Sequence, residues 1–453
     1  MFARIWLAVI ALLASQVQAA EPAGKHLTRV FFQDDATKTV RWADLTRGTS
    51  LGLTTPQVVE GFPKVDPAHQ TLVQMQIAMG QVLVGVRDDQ DGKLQSGWVL
   101  IDTGVETESH GDHLDWVYAR APRVRAVQLD DQQGNPAHLY VYDDVFYVAN
   151  DQKNGFTRLA PAELSAGDDE AAIRAKASFH AGGGGHITLA VSGQRIAYSS
   201  WIDRDGPNKG RVDLTLVSAA GSPQPTGSIY LPSGGIHGAT ACANKVFLAP
   251  ANGIDWIEAS ESIPVDLKSI PIHHIDLGKS GDRPLRTGAF TTLGNRVAFL
   301  TGRGPGTELG VIDADKTPPV LTRLAVPVAE GAWASGLELI KPRRGNPVAM
   351  LFQEVDSDGP AQCQLMVIEL DPNGDNQWSD MRVGPSLNVG KARIEGHGGH
   401  HGFAADGDRL RGLVTNPGDG TLEILSFDSR KMEAKFTVGG APSKVIAYGG
   451  HVH

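Results

Sequence analysis

Histidine is the residue type that clusters in this chain of 453 residues, and its clusters suit metal binding. The segment His110–His113 reads His-Gly-Asp-His, while His397, His400 and His401 fall within five residues. Imidazole and carboxylate are ordinary ligands of zinc, which binds His nitrogen at about 2.0–2.1 Å in a tetrahedral arrangement. The segments therefore predict metal sites, with Asp112 as a ligand or as the acceptor that orients an imidazole. The alternative is a pair of polar loops whose histidines bind no metal.

His186, His237 and the pair His400–His401 share a second property, which is their distance from a repeated apolar position. That position follows each of them by nine or ten residues, at Ile196, Val246 and Leu410. Equivalent positions in a closed ring of repeats converge on the ring axis. The spacing therefore predicts that these imidazoles face one point beside a central channel, although each histidine alone is also compatible with a hydrogen bond to a neighbouring repeat.

The repeat that must position these histidines extends through the whole chain. A polar or small residue precedes a short apolar strand eight times, and the apolar anchors are Val30, Val82, Val145, Ile196, Val246, Val297, Val348 and Leu410. The gaps between them are 52, 63, 51, 50, 51, 51 and 62 residues. The unit 287–326 contains four short strands separated by Gly-, Pro- and Asn-containing turns, which is the pattern of a β-propeller blade. The sequence predicts an all-β, eight-bladed propeller, with seven blades or two stacked sandwiches as alternatives.

The chain ends indicate how the ring closes. Segment 443–448 has the pattern of an innermost strand with no strand after it, and segment 29–33 has the pattern of a second strand with no first strand before it. We expect the two termini to share one blade. Residues 21–453 are then a single propeller domain.

The two longest gaps contain insertions, and one of them suggests a second site. The His110–His113 segment follows a predicted third strand that ends at Asp102, so it lies at the face opposite the starts of the inner strands. His451 and His453 follow the last inner strand and emerge at that same face. A site formed by His110, His113, His451 and His453 is therefore a further hypothesis.

Composition and the N-terminus limit the class of protein. The net charge is -10 and no run of Lys or Arg occurs, which excludes a nucleic-acid partner because phosphate binding needs a clustered basic surface. Arg4 precedes an apolar run and small residues at positions 17–20, so residues 1–20 are predicted to be a cleaved signal peptide. No later apolar stretch is long enough to insert into a membrane. The mature chain is expected to be exported, and the sequence does not show whether Cys242 and Cys363 pair.

Several of these motifs together resemble the AztD family of periplasmic zinc metallochaperones. They are His-Gly-Asp-His after Ile101-Asp102-Thr103-Gly104, His186, Ile236-His237-Gly238 and the closing Val438-Gly439-Gly440-Ala441-Pro442. The resemblance implies a periplasmic protein that holds zinc and transfers it to the solute-binding protein of an ABC-type zinc importer. It also implies metal binding at His113, His186 and His237, and at Asp112, His138 and the His397–His401 cluster.

Two other functions remain open from the sequence. Histidine ligands alone do not separate zinc from other transition metals. A metal-dependent hydrolase or lactonase would need an open coordination position and a base such as Glu395, Asp112 or Glu108. A propeller that only binds other proteins would hold no tight metal.

The stretch 371–376, Asp-Pro-Asn-Gly-Asp-Asn, has a partial resemblance to a calcium loop. It lacks the glutamate that an EF-hand has at its twelfth position, and Pro-Asn-Gly is common in turns. The sequence therefore favours a turn without calcium.

Overall fold

The chain forms eight antiparallel sheets arranged as a β-propeller in a computed structural model, which describes residues 24–88, 90, 93–111, 114–355, 362–394 and 398–451. We number the blades from the one that contains both termini. Within each blade the strands are named inner, second, third and outer. The predicted all-β fold and the count of eight blades are confirmed.

The first four blades use strands from the N-terminal half of the chain and one strand from its C-terminal end. Blade 1 consists of Pro442–Tyr448, Lys25–Asp34, Thr39–Arg47 and an outer edge of Leu51–Leu53 and Gln57–Val58. Blade 2 consists of Gln70–Ala78, Gln81–Asp88, Ser96–Asp102 and Arg123–Asp130. Blade 3 consists of His138–Tyr142, Val145–Asn150, Gly155–Leu159 and Ser178–Ala181. Blade 4 consists of Leu189–Ser192, Ile196–Ser200, Arg211–Leu216 and Gly227–Tyr230.

The other four blades follow in chain order. Blade 5 consists of Ala239–Cys242, Lys245–Leu248, Ile254–Glu258 and His273–Ile275. Blade 6 consists of Thr291–Leu293, Arg296–Thr301, Glu308–Asp313 and Val320–Ala325. Blade 7 consists of Trp333–Ile340, Val348–Glu354, Gln364–Glu369 and Arg382–Asn388. Blade 8 consists of Phe403–Ala405, Arg411–Asn416, Thr421–Ser426 and Lys431–Thr437.

Short elements outside the blades complete the described part of the chain. Two hairpins are formed by Glu106–Ser109 with Leu114–Val117 and by Lys279–Ser280 with Arg283–Pro284. The α-helix is Glu170–Lys176, and the 3-10 helices are Asp151–Lys153, Pro161–Glu163, Leu267–Ser269 and Gly304–Gly306. None of the helices among the described residues has the length and apolar character needed to cross a bilayer.

The repeated apolar anchors lie in the second strands of the blades. Seven of them are inside these strands, and Leu410 directly precedes the second strand of blade 8. Second strands are buried on both faces because neighbouring blades pack face to face, so they consist of continuous apolar runs. Val82 and Val84 of blade 2, for example, pack with Phe31 of blade 1. This packing explains the constant spacing of the anchors.

The predicted closure of the ring is present in blade 1. The inner strand Pro442–Tyr448 pairs with Lys25–Asp34, with Phe31 opposite Ile446. The buried Arg29 guanidinium strengthens this blade because its Nε and Nη2 donate to the two carboxylate oxygens of Asp44 at 2.7 and 2.9 Å. Such a bidentate pair fixes the geometry of both side chains.

Candidate metal site

Three histidines from consecutive blades meet at one end of the ring. His138 is the first residue of the inner strand of blade 3, His186 lies three residues before the inner strand of blade 4, and His237 lies two residues before that of blade 5. The ring centroids of His138 and His186 are 4.6 Å apart, and those of His186 and His237 are 4.9 Å apart. The centroids of His138 and His237 are 6.3 Å apart. We call these residues the three-histidine cluster.

Hydrogen bonds at Nδ1 orient two of the three rings. His186 Nδ1 lies 3.1 Å from Asp151 Oδ2, and His237 Nδ1 lies 3.2 Å from the Gly288 carbonyl oxygen. Carboxylate and carbonyl oxygens only accept, so both Nδ1 atoms donate. In a neutral ring the Nε2 atom then keeps its lone pair. This is the usual arrangement of a histidine that binds a metal through Nε2.

Asp151 is itself held in place by groups from the two neighbouring blades. It is 2% exposed, and its Oδ1 accepts from the backbone N–H of Ile187 at 2.9 Å. Its Oδ2 lies 3.5 Å from Arg87 Nη1. A carboxylate with this many fixed partners can hold the His186 ring in one orientation.

Two members of the three-histidine cluster, His138 and His237, are uncharged at neutral pH. Burial, together with the neighbouring His186, lowers the pKa of His138 to about 3. Burial also lowers the pKa of His237. Neutral imidazole is the form that ligates metals, so these rings need not lose a proton from a charged form before binding.

The spacing of the rings is close to that of a metal site but differs from it. His138 Nε2 and His186 Nε2 are 2.9 Å apart, and His138 is the donor because His186 carries its proton on Nδ1, whereas two nitrogen ligands of a tetrahedral zinc stand about 3.4 Å apart. No three His, Cys, Asp or Glu side chains among the described residues converge on one point at ligand distance. Binding therefore requires these two rings to move apart by about half an ångström.

His400 and His401 also precede an inner strand, that of blade 8, but two blades separate them from the cluster on either side. His400 Nδ1 lies 2.7 Å from Glu354 Oε2, and the backbone N–H of His401 donates to Glu354 Oε1 at 2.8 Å. His401 Nδ1 donates to the Thr415 carbonyl at 2.8 Å, and its ring stacks on Phe352. The structure thus brings His186 and His237 together with His138, and joins His400 and His401 to a buried carboxylate instead.

A cysteine is a neighbour of the His401 ring. His401 is 2% exposed and its Nε2 has no hydrogen-bond partner, although the Cys363 thiol is its neighbour. Burial acts to raise the pKa of this thiol, but the imidazole leaves it below its ordinary value. Cys242 and Cys363 are both unpaired cysteines.

The opposite end of the ring carries the hairpin of the His-Gly-Asp-His segment, as the strand alternation predicts. His110 lies at its tip, where Nε2 is 3.4 Å from Asp115 Oδ2, while Asp112, His113, His397 and His453 lie outside the described residues. The hairpin contacts the C-terminal segment, since the Tyr118 hydroxyl donates to the Gly450 carbonyl at 2.9 Å. His451 Nδ1 is 2.8 Å from Asp408 Oδ2. The elements proposed for a second site are therefore neighbours, and the site itself stays a prediction.

Sequence reasoning missed Asp151, Glu354 and Cys363. The first two share a signal, which is an acidic residue at the end of a second strand or just after it, at the end of the ring where inner strands begin. No comparable signal marks Cys363, because its proximity to His401 depends on the packing of blade 7 against blade 8.

Comparisons with known proteins agree on the architecture. No family model and no curated protein matches the chain. Two solved structures of AztD from Citrobacter koseri, one of them the apo form, cover 94% of this chain and 99% of their own, with TM-scores of 0.64 and 0.63 at 16% identity. The dihydro-heme d1 dehydrogenase NirN covers 94% of this chain and 76% of its own, with a TM-score of 0.53 at 15% identity. The chain therefore has the AztD-type propeller fold.

Proposed function

We propose that this protein is a periplasmic zinc metallochaperone, which binds zinc through His138, His186 and His237 and delivers it to the solute-binding protein of an ABC-type zinc importer. The observation that carries the proposal is the clustering of three imidazoles from consecutive blades, with ring centroids 4.6–6.3 Å apart, two of which donate from Nδ1 to fixed acceptors. Those acceptors leave the Nε2 lone pairs of His186 and His237 in the cluster, and His138 would bind zinc through Nε2 once the proton of its neutral ring has moved to Nδ1.

The position of the cluster suits a carrier. His186 retains 27% of its side-chain exposure, while the Asp151 carboxylate that orients it is 2% exposed. The Asp151 carboxylate is thus buried, while the His186 imidazole that it orients is accessible from the end of the ring. A partner that docks there can offer its own ligands before zinc has left, which is the requirement for direct transfer. The AztD-type fold and the resemblance of the histidine motifs support the same role.

The proposal is tested first by metal content. Mature protein is dialysed and analysed for metals beside the variant His186→Ala/His237→Ala and the matched control His273→Ala/His274→Ala, which alters two histidines on the outer strand of blade 5. We expect about one equivalent of zinc to be lost in the first variant and none in the control, because only the first removes ligands. Equal zinc in all three proteins would contradict the proposed site.

Delivery is tested with a zinc-binding periplasmic solute-binding protein as acceptor. Zinc-loaded protein is mixed with this acceptor or with a chelator of higher affinity, and the rate of zinc loss is followed at increasing acceptor concentration. Direct transfer predicts a rate that rises with the concentration of the solute-binding protein and exceeds the rate of loss to the chelator. Equal rates that do not depend on concentration would mean that zinc is simply released.

The hydrolase alternative has less support in the geometry. Of the three bases considered from the sequence, Glu108 lies in the hairpin at the other end of the ring, and Asp112 and Glu395 lie outside the described residues. Asp151 is near the cluster, but its oxygens are occupied by His186, Arg87 and the Ile187 N–H. Lactone hydrolysis by the zinc-loaded protein would revive this alternative.

A further inference from the structure

The loop between the third and outer strands of blade 7 has a feature that the zinc site does not use. It begins at Asp371 and continues through Asn373, Asp375 and Gln377 to Asp380. It lies at the end of the ring opposite the three-histidine cluster, because third strands run away from the end at which inner strands begin. Every second residue from Asp371 to Gln377 carries an oxygen-bearing side chain.

Asp371, Asn373 and Asp380 each use one side-chain oxygen to fix the backbone of the loop. Asp371 Oδ2 accepts from the N–H of Asn376 at 3.1 Å, and Asp380 Oδ2 accepts from the N–H of Asn373 at 3.2 Å. Asn373 Oδ1 accepts from the N–H of Asp375 at 2.9 Å. The backbone of the loop is therefore wrapped around its own side chains. One oxygen of Asp371 and one of Asp380 take no part in these hydrogen bonds.

Those two remaining oxygens, Asp371 Oδ1 and Asp380 Oδ1, are buried and have no hydrogen-bond partner. Asp371 as a whole is 4% exposed. A buried polar atom without a partner is uncommon in native proteins, and an unpaired carboxylate oxygen is especially costly. A cation bound by both carboxylates would satisfy both atoms.

The order of the residues identifies the cation. Calcium loops take ligands from positions one, three and five, from a backbone carbonyl at position seven and from an acidic residue further on, with a sharp turn at position six. Here Asp371, Asn373 and Asp375 hold the first three positions, and Asn376 at position six has φ of 62°, the left-handed conformation in which EF-hands place glycine. Asp380, at position ten, supplies the acidic residue that the sequence pattern lacks at position twelve.

We propose that this loop binds a calcium ion through Asp371, Asn373, Asp375, the carbonyl of Gln377 and Asp380. The donors are all oxygens, which favours calcium over zinc. Asp375 now directs Oδ1 to the Gln377 N–H at 2.8 Å and Oδ2 to the Asn373 amide at 3.1 Å. Its side chain rotates towards the ion on binding, which brings the three carboxylates together.

The ion would also join two blades. Trp378, in the same loop, is buried in the core shared by blades 6 and 7, and the guanidinium of Arg296 of blade 6 lies over its ring at 5.4 Å. Arg296 Nη2 donates to the Asn376 carbonyl at 2.6 Å. Calcium therefore fixes the backbone that blade 6 contacts, and its expected effect is a higher unfolding temperature.

The test uses terbium, a luminescent ion of similar size to calcium, because the Trp378 indole lies in the loop and can sensitise it. We expect terbium emission on tryptophan excitation that calcium displaces with a dissociation constant of about 10⁻⁴–10⁻³ M, the range of extracellular calcium modules. Magnesium at the same concentration should displace little, because it requires a smaller octahedral site. Calcium should raise the unfolding temperature over the same concentration range.

Three variants make the test specific. Asp371→Asn/Asp380→Asn should lose both the emission and the calcium-induced rise in unfolding temperature, while Asp266→Asn, which alters an exposed carboxylate that caps a short helix, should keep both. Trp378→Phe should lose emission but keep calcium binding by calorimetry. Zinc content should stay unchanged in the double variant. Calcium binding that survives this variant, or its absence from the wild type, would overturn the proposal.

Discussion

His186 and His401 occupy equivalent places, since each lies shortly before the inner strand of its blade and donates from Nδ1 to a fixed oxygen. Their surroundings differ. His186 is partly exposed and its Nε2 faces the Nε2 of His138 at 2.9 Å. His401 is buried, stacks on Phe352 and has the Cys363 thiol as a neighbour, while its Nε2 has no hydrogen-bond partner. The repeat therefore places an imidazole just before the inner strand of both blades. The neighbouring residues determine whether the Nε2 lone pair of that imidazole is available to an exchangeable metal.

The carboxylates beside these histidines also differ: Asp151 contacts the three-histidine cluster, and Glu354 contacts His400 and His401. Asp151 orients one ring of a cluster whose members come from three blades, so its removal should loosen ligands. Glu354 instead joins a side chain and a backbone N–H of adjacent residues at 0% exposure. We expect the first to govern zinc affinity and the second to govern stability.

The largest expected effect is that of Glu354→Ala on stability. The substitution leaves the buried N–H of His401 without an acceptor and breaks the contact to His400, so the free energy of unfolding should fall by about 3 kcal/mol. Urea denaturation measures it, with Glu308→Ala as a control that removes a surface contact to Arg323 and should cost no more than about 1 kcal/mol. A large loss of zinc without loss of stability would reverse the roles of the two groups.

The second prediction compares ligands directly. His138→Ala removes one of three imidazoles, and zinc affinity measured by competition with a fluorescent chelator should fall by at least about 100-fold, since changes to orienting groups alone cost 10- to 100-fold. His400→Ala/His401→Ala should change the zinc affinity of the three-histidine cluster little, because two blades separate His400 and His401 from the cluster in each direction around the ring. If the second variant lost a separate equivalent of metal, the histidines of blade 8 would be a site of their own.

The third prediction concerns orientation. Asp151→Asn keeps the shape of the side chain but removes its charge, so zinc affinity should fall by about 10-fold while stoichiometry is retained. Asp255→Asn is the matched control, because Asp255 is equally buried and lies 2.6 Å from His274 Nδ1 on the outer part of blade 5. An equal loss of affinity in both variants would mean that the effect is not local to the cluster.

The architecture was predictable from the sequence because every blade solves the same packing problem. The second strands are buried on two faces, so their apolar anchors recur with a nearly constant spacing, and the pairing of 443–448 with 29–33 follows from a missing first strand. The position of His186 and His237 just before their inner strands was predictable for the same reason, because equivalent residues of a repeat lie at the same distance from its apolar anchor.

The rest of the site depends on contacts that no spacing describes. His138 precedes Val145 by seven residues, so a rule of nine or ten residues omits it, and only the family resemblance pointed to it. Asp151 reaches His186 across a blade boundary and 35 residues of sequence. The sequence favours a plain turn at 371–376 because Asp380, which accepts from the Asn373 N–H, stands ten residues into the loop, where the EF-hand pattern has no acidic ligand.

The expected effects of pH have opposite signs in the two histidine groups. The pKa of His138 is about 3 in the folded protein and near its ordinary 6.5 in the unfolded chain. Below pH 6.5 the unfolded state binds the proton and the native state does not, so His138 makes the protein less stable as pH falls from 6.5 towards 3. The slope is at most about 1.4 kcal/mol per pH unit. Metal-free wild type should therefore lose stability relative to His138→Gln between pH 7 and pH 5.

His401 should show the reverse dependence. Burial opposes its protonation, but the Cys363 thiol, the Thr415 carbonyl and Glu354 leave its pKa above the ordinary value. Its contribution is then fully present below pH 6.5 and is lost as pH rises through the folded value. Relative to His401→Gln, wild type should lose stability as pH rises from 6 to 8, in urea melts of metal-free protein. If the stability difference from wild type changed with pH in the same direction for both variants, the two rings would be in similar surroundings, which would contradict the distinction between His138 and His401.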